Sequence, residues 1–242
     1  MDDLIGWLAA CAAEIGAAVE PRRRQGLSGE RESQYVLDVA ADEAARRVLA
    51  RPGWRIVSEE SGVTGNGDVT VVVDPIDGST NADRGVPFYS TSLAVLERGE
   101  LVAGCVRNHA TGTVYAAERG AGATRDGVRL ATTGRQVLRG AIVGFSGWPR
   151  RRVGWGQYRA LGAASLEICL VADGSLDAFS VAGGSRLHPW DYLAGILIAR
   201  EAGAALGEVR GDDLVTAEPV ARQPVIAASE ELLAALLAVG PL

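Results

Sequence analysis

The segment VVVDPIDGSTN, residues 71–81, drives a β-branched run into Asp74 and Asp77, with Pro75 and Gly78 at the bend and Ser79 and Thr80 beyond it. Carboxylates held this close repel unless something positive lies between them. Hard cations such as magnesium suit the arrangement, because they take oxygen ligands and leave positions to substrate and water. Gly78-Ser79-Thr80 can open the next helical turn, whose free N–H groups hold an anion well. One small region would thus supply carboxylates for cations and a backbone cradle for phosphate oxygens. Further acids are spaced to join: Glu59-Glu60 ends a preceding strand, Asp38 and Asp42 lie one helical turn apart, and Asp191 in HPWDYLAG stands at a helix start. Each also has a plain structural use, as a solvated loop, an exposed helix face or a helix cap.

The elements that must position these acids are legible from hydrophobic period and turn chemistry. Residues 2–20 and 35–50 read as helices, 54–57 and 69–73 as strands, and 22–33 as a polar, glycine-bearing loop. A meander follows over 90–97, 101–108 and 113–118, with a glycine-rich ribbon at 120–130. Beyond it, 141–145, 164–172 and 178–180 suggest a second sheet with helices between its strands. Residues 191–202 form a helix stopped by Gly203, and Ser229 caps a last one. The chain divides into an N-terminal α+β half, 1–140, carrying most of the acids, and a C-terminal α/β half, 141–242, carrying Asp191.

Composition narrows the function. A net charge of −6 over 242 residues argues against a nucleic-acid surface, and the arginine clusters 22–24 and 150–152 are short. All 24 basic residues are arginines, so a Walker lysine, a Schiff-base lysine and a lysine general base are excluded. Cys11, Cys105 and Cys169 lack metal-ligand spacing and read as buried free thiols. His109 and His188 are too few for a histidine zinc site, and neither takes a catalytic role here. The acidic start, MDDLIGW, is unlike a signal peptide, and no apolar run is expected to span a membrane. A soluble cytoplasmic protein is expected.

Three segments in order, IVSEESG (residues 56–62), DPIDGSTN and HPWDYLAGILIAREAGA, resemble the signature segments of the magnesium-dependent inositol monophosphatase-like family, whose superfamily includes fructose-1,6-bisphosphatases. GVPFYSTSLAV, ATGTVYAAERGAGATRDG and GAASLEICLVADGSLDAF are similar to it as well. The resemblance implies a layered αβαβα sandwich, two or three magnesium ions per site, a small phosphate monoester as substrate and a homodimer. It assigns the metal to Glu60, Asp74, Asp77, Asp191 and the Ile76 carbonyl. It gives Ser79, assisted by Asp42 or Asp38, together with Glu60, the orientation of the attacking water. Substrate contacts fall to Asp77, Gly78, Ser79, Gly162, Ala163, Ala164 and Asp191. The reaction implied is direct hydrolysis by a metal-activated water, without a phosphoenzyme.

The alcohol is less defined. Residues 180–184 read SVAGG, without the glutamate that an inositol-specific member carries nearby, which lowers inositol phosphate without removing it and leaves histidinol phosphate, a sugar phosphate such as fructose bisphosphate and a nucleotide 3′-phosphate open. Arg159 or Arg186 could meet a second phosphate, and the 22–33 loop could close over the site. Two rivals remain: a phosphatase with an aspartate nucleophile, disfavoured because its acids are two residues apart and these are three, and a non-catalytic regulator that binds magnesium and a phosphometabolite on the same scaffold.

Overall fold

The computed structural model describes residues 3–240, so the predicted helix start at residue 2 lies outside it. Helices α1 (Leu4–Val19) and α2 (Val36–Leu49) precede strands β1 (Trp54–Ser58), β2 (Gly62–Gly65) and β3 (Val69–Asp77). A short helix, α3 (Ser79–Arg84), leads into β4 (Ser90–Glu97), β5 (Glu100–Asn108), β6 (Val114–Glu118), β7 (Gly122–Arg125) and β8 (Val128–Arg129). Then come β9 (Ile142–Ser146), β10 (Gln157–Arg159), α4 (Ala164–Ala172), β11 (Ala178–Val181), α5 (Pro189–Glu201), β12 (Ala205–Glu208), β13 (Pro224–Ala227) and α6 (Glu230–Val239).

The strands form an eight-stranded sheet, β2-β1-β3-β4-β5-β6-β7-β8, and a five-stranded sheet, β10-β9-β11-β13-β12. Helices α1 and α2 cover one face of the larger sheet, α4 and α5 fill the space between the sheets, and α6 backs the smaller one. The result is a layered αβαβα sandwich. Burial on both faces explains why β3 carries an unbroken β-branched run and not an alternating one.

Two expectations change here. Residues 164–172, grouped by sequence with the second sheet, are helix α4; it is buried on almost every side, which erases the helical period that would have marked it. The helical stretch Leu4–Arg22, with a mean hydropathy of 1.3, is by length and composition long enough to cross a membrane, contrary to the sequence reading. In the structure its stripe Leu4, Leu8, Cys11, Ile15 and Val19 is buried, and α1 packs on α2 and β5.

The most consequential departure lies in β3. The strand read over 69–73, with Pro75 at a bend, runs on to Asp77 through a β-bulge: Asp74 pairs with Ser92 and Asp77 with Ser90, leaving Pro75 and Ile76 opposite Thr91. A proline lacks the N–H a central strand needs and is tolerated at such an irregularity. The Thr91 hydroxyl donates to the Pro75 carbonyl at 2.7 Å, which secures it. Residues three apart on a regular strand face opposite sides of the sheet. The extra residue of the bulge lets Asp74 and Asp77 turn toward one site.

Candidate active site

Strand β1 runs parallel to β3 with Ser58 opposite Val73, so the next residue, Glu59, falls beside Asp74. The Glu59 N–H donates to the Val73 carbonyl at 3.2 Å and fixes that approach. Asp191 arrives from the first turn of α5, where Pro189 starts the helix and the Asp191 carboxylate accepts the His188 N–H at 2.6 Å. Asp77 is held by α4: Ala164 N–H donates to one oxygen at 3.2 Å, and Ser165 N–H and hydroxyl donate to the other at 2.7 and 2.5 Å.

Four carboxyl groups therefore converge, and each is driven toward its protonated form. Asp74 is pushed well above the carboxylate range by burial first, then by the charges of Glu59, Asp77 and Asp191. Asp191 is raised by burial, then by Glu59 and Asp77. Asp77 reaches about 6 through burial, with the Ser165 and Ala164 donors pulling it back. Glu59 reaches about 7 through burial of its carboxyl, with the charges of Glu60, Asp77 and Asp38 adding to it, although the residue keeps an exposed side. Glu59 raises Asp74 by its neighbouring charge, a repulsion that a proton or a cation between the two carboxyls would relieve.

Asp74 Oδ1 is buried without any hydrogen-bond partner. Among the described residues no three His, Cys, Asp or Glu side chains are grouped so as to hold a metal ion as they stand. An all-oxygen donor set, mutual repulsion and an orphaned buried oxygen together fit a hard divalent cation.

Glu60, expected in this cluster, lies beside it and is otherwise engaged. Its carboxylate accepts from the Gln34 amide and pairs with Arg31 at 3.6 Å. The β1–β3 register, Ser58 opposite Val73, instead brings Glu59 beside Asp74, and adjacent residues at the end of a strand point to opposite sides. Of the two helix acids, Asp42 accepts the hydroxyls of Ser58 at 2.7 Å and Ser61 at 2.9 Å, which binds it to the end of β1. Asp38 is the one near Ser79: that hydroxyl lowers its pKa, against burial that raises it to about 6. Within hydrogen-bond distance, however, Ser79 donates to the Ile76 carbonyl at 2.9 Å, and Asp38 Oδ1 has no partner.

Gly78 caps α3 at φ +90°, and a Cβ there would meet the Gly162 carbonyl at 3.0 Å and the Phe88 carbonyl at 3.2 Å. The loop before α4 thus closes directly over the turn of β3. Asn81 ties them, its amide donating to both Phe88 O at 2.8 Å and Leu161 O at 2.7 Å. Asp77, Gly162, Ala163, Ala164 and Asp191 line a cavity of about 240 Å³. Glu167 lines it too; burial raises its pKa to about 8, and it accepts the Leu161 N–H at 3.1 Å. The 22–33 loop is anchored to α3, with Arg23 donating to Ala82 O and Gly26 N–H to Asp83, each at 3.0 Å.

Sequence reasoning missed Glu59, Ser165, Glu167, Asn81 and Gln34. Glu59 and Ser165 stood inside quoted motifs, but choosing them required the strand register and the direction of α4.

A family model described as the Inositol monophosphatase family matches residues 4–239. The chain belongs to this family. A "fructose-1,6-bisphosphatase/inositol-1-monophosphatase" of Archaeoglobus fulgidus is 38% identical over 207 residues, covering 83% of this chain and 81% of that protein. A "Nus factor SuhB" of Xylella fastidiosa is 32% identical over 199 residues, covering 74% and 70%. Among solved structures, a Pyrococcus horikoshii protein described as having similarities to inositol-1 monophosphatase superposes with a TM-score of 0.85 at 26% identity, covering 98% and 96%. Membership of the inositol monophosphatase family and these relatives support a phosphatase.

Proposed function

We propose that the chain is a magnesium-dependent phosphatase that hydrolyses a phosphate monoester of a small metabolite by direct attack of water. The observation that carries this reading is that Glu59, Asp77 and Asp191 lie close enough to raise Asp74, whose own Oδ1 is buried without a partner. These four and the Ile76 carbonyl would hold the ions. Bound magnesium would supply acidification of water and neutralisation of the phosphoryl oxygens.

The chain's own residues do the rest. Ser165 and Ala164 hold Asp77 in place from the far side, so its position does not depend on the ligand. The Ser79 hydroxyl, anchored on Ile76 O, orients the attacking water, and Asp38 can receive a proton through it, since burial brings its carboxyl to about 6. The N–H groups of Gly78 and Ser79 receive phosphate oxygens at the start of α3. The 240 Å³ cavity beside Gly162–Ala164 takes the alcohol and limits it to a small polyol, sugar or comparable group.

The relatives named Nus factor SuhB favour a second reading, a regulator that binds a phosphometabolite without turning it over. Phosphate release from a panel of phosphomonoesters separates the two. Release in magnesium that chelator abolishes is expected; saturable binding with no release from any ester would favour the regulator.

A further inference from the structure

The bulge that turns Asp74 and Asp77 toward one site is held from behind by side chains that take no part in the proposed reaction. Thr91, wholly buried on β4, donates its hydroxyl to the Pro75 carbonyl at 2.7 Å. The same hydroxyl oxygen lies 2.7 Å from His109 Nε2. A hydroxyl has one proton to give, and a carbonyl can only accept. With that proton on Pro75 O, the Thr91 oxygen must act as acceptor, and His109 Nε2 must carry the hydrogen. One directed chain results, from His109 Nε2–H to Thr91 O–H to Pro75 O, and it ends on the backbone between Asp74 and Asp77.

His109 is built into this place. Its backbone N–H donates to the Tyr89 carbonyl at 3.1 Å, and its ring lies 6.0 Å from that of Tyr89. The turn that follows is fixed by Asn108, whose side-chain oxygen accepts the N–H groups of Ala110 at 2.9 Å and Thr111 at 3.3 Å. The far edge of the ring lies against α1, where a Cβ at Gly16 would collide with Nδ1 and Cε1. Glycine weakens a helix relative to alanine, and this one makes room for the imidazole. Burial keeps the ring neutral, with its pKa lowered to about 4. A second proton would enter at Nδ1 and leave the Nε2–H in place, so the chain of donors holds in either state.

The bulge needs such support. Two residues oppose one there, so the ladder is locally broken, and Pro75 has no N–H to give it. Thr91 is the residue opposite, and its hydroxyl supplies the bond the ladder lacks. A hydroxyl rotates freely unless something fixes it. The Nε2–H does so by occupying the oxygen and leaving the proton for Pro75 O.

We propose that His109 is a positioning residue of the metal site: by donating to Thr91 it commits that hydroxyl to Pro75 O and holds the bulge in the shape that presents Asp74 and Asp77 to the same ions. This rests on the reading of the acid cluster as a magnesium site. His109 itself touches neither the ions nor the substrate.

The test is magnesium affinity by isothermal titration calorimetry on the intact protein and on His109→Leu, His109→Gln and Thr91→Val. The first variant removes the donor, and the last removes the hydroxyl at nearly constant volume. Each should weaken magnesium binding about tenfold or more, the scale on which groups supporting metal ligands act. His109→Gln keeps an amide N–H in reach of Thr91 and should stay within about threefold of the intact protein. Melting temperatures without magnesium, read on the same samples, separate positioning from general loosening. Lower melts in His109→Leu and Thr91→Val with unchanged magnesium affinity would overturn the proposal, as would equal losses in His109→Gln and His109→Leu. Should His109→Leu not fold, Thr91→Val carries the same comparison with His109→Gln. An intact protein that binds no magnesium would overturn the metal reading of the acids, and the role of His109 with it.

Discussion

Protons and metal ions must compete for the same carboxyl oxygens, and the size of that competition can be worked out for Asp77. Its carboxyl is raised from the usual 3.8 to about 6, burial being the main cause. At pH 8 it is ionised and ready to bind a cation. At pH 5 only about one molecule in ten has it ionised, an apparent affinity loss of roughly tenfold, or about 1.4 kcal/mol. Asp74 and Asp191 are raised as well, burial first, and act in the same direction. Glu59, at about 7, adds to it with a weight reduced by the solvent at its open side.

For a domain of this size 1.4 kcal/mol corresponds to roughly 3–6 °C in melting temperature. The assay is thermal melting with magnesium and with chelator, repeated between pH 8 and 5, reading the difference between the two melts. Burial lowers the His109 pKa to about 4, so acid destabilises the fold through it as well. That effect is common to both melts and cancels. The stabilisation by magnesium should shrink by at least about 3 °C as pH falls from 8 to 5. A magnesium shift of equal size at both pH values, or none at either, would refute the reasoning.

The other predictions concern single residues. Glu59→Gln should lower kcat/KM by more than about 100-fold while Glu60→Gln costs much less, since losing a group that only supports a metal ligand typically costs roughly 10–100-fold; reversed magnitudes would restore Glu60 to the cluster. Asp77→Asn should keep the far-ultraviolet circular dichroism of the intact protein and abolish phosphate release, and undiminished release would remove Asp77 from the site. Gly78→Ala, at φ +90° with carbonyls 3.0 and 3.2 Å from its new Cβ, should cost about 1–3 kcal/mol and lower the melting temperature, whereas an unchanged melt would show that the turn can yield.

The acid motif itself was legible because two further signature segments accompany it in order along the chain, whereas a carboxylate pair in a bend would alone read as a solvated turn. What it looked like in three dimensions was not. Pro75 signalled the end of a strand, and only pairing with β4 shows it absorbed in a bulge that lets Asp74 and Asp77 act on one site. Glu59 and Glu60 are chemically alike and adjacent, so only the register of β1 on β3 tells them apart. Asp38 and Asp42 share a helix face, and what separates them is that Ser58 and Ser61 donate to Asp42. Helix α4 hid for a different reason: almost wholly buried, it has no polar face to mark its period.

The central claim is met most directly by anomalous diffraction from crystals soaked in manganese, a hard cation that takes the same oxygen donors as magnesium. The account predicts peaks ligated by Glu59, Asp74, Asp77 and Asp191, with Glu60 still held by Gln34 and Arg31. Density at Glu60 in place of Glu59, or no peak among these carboxylates at saturating manganese, would contradict it.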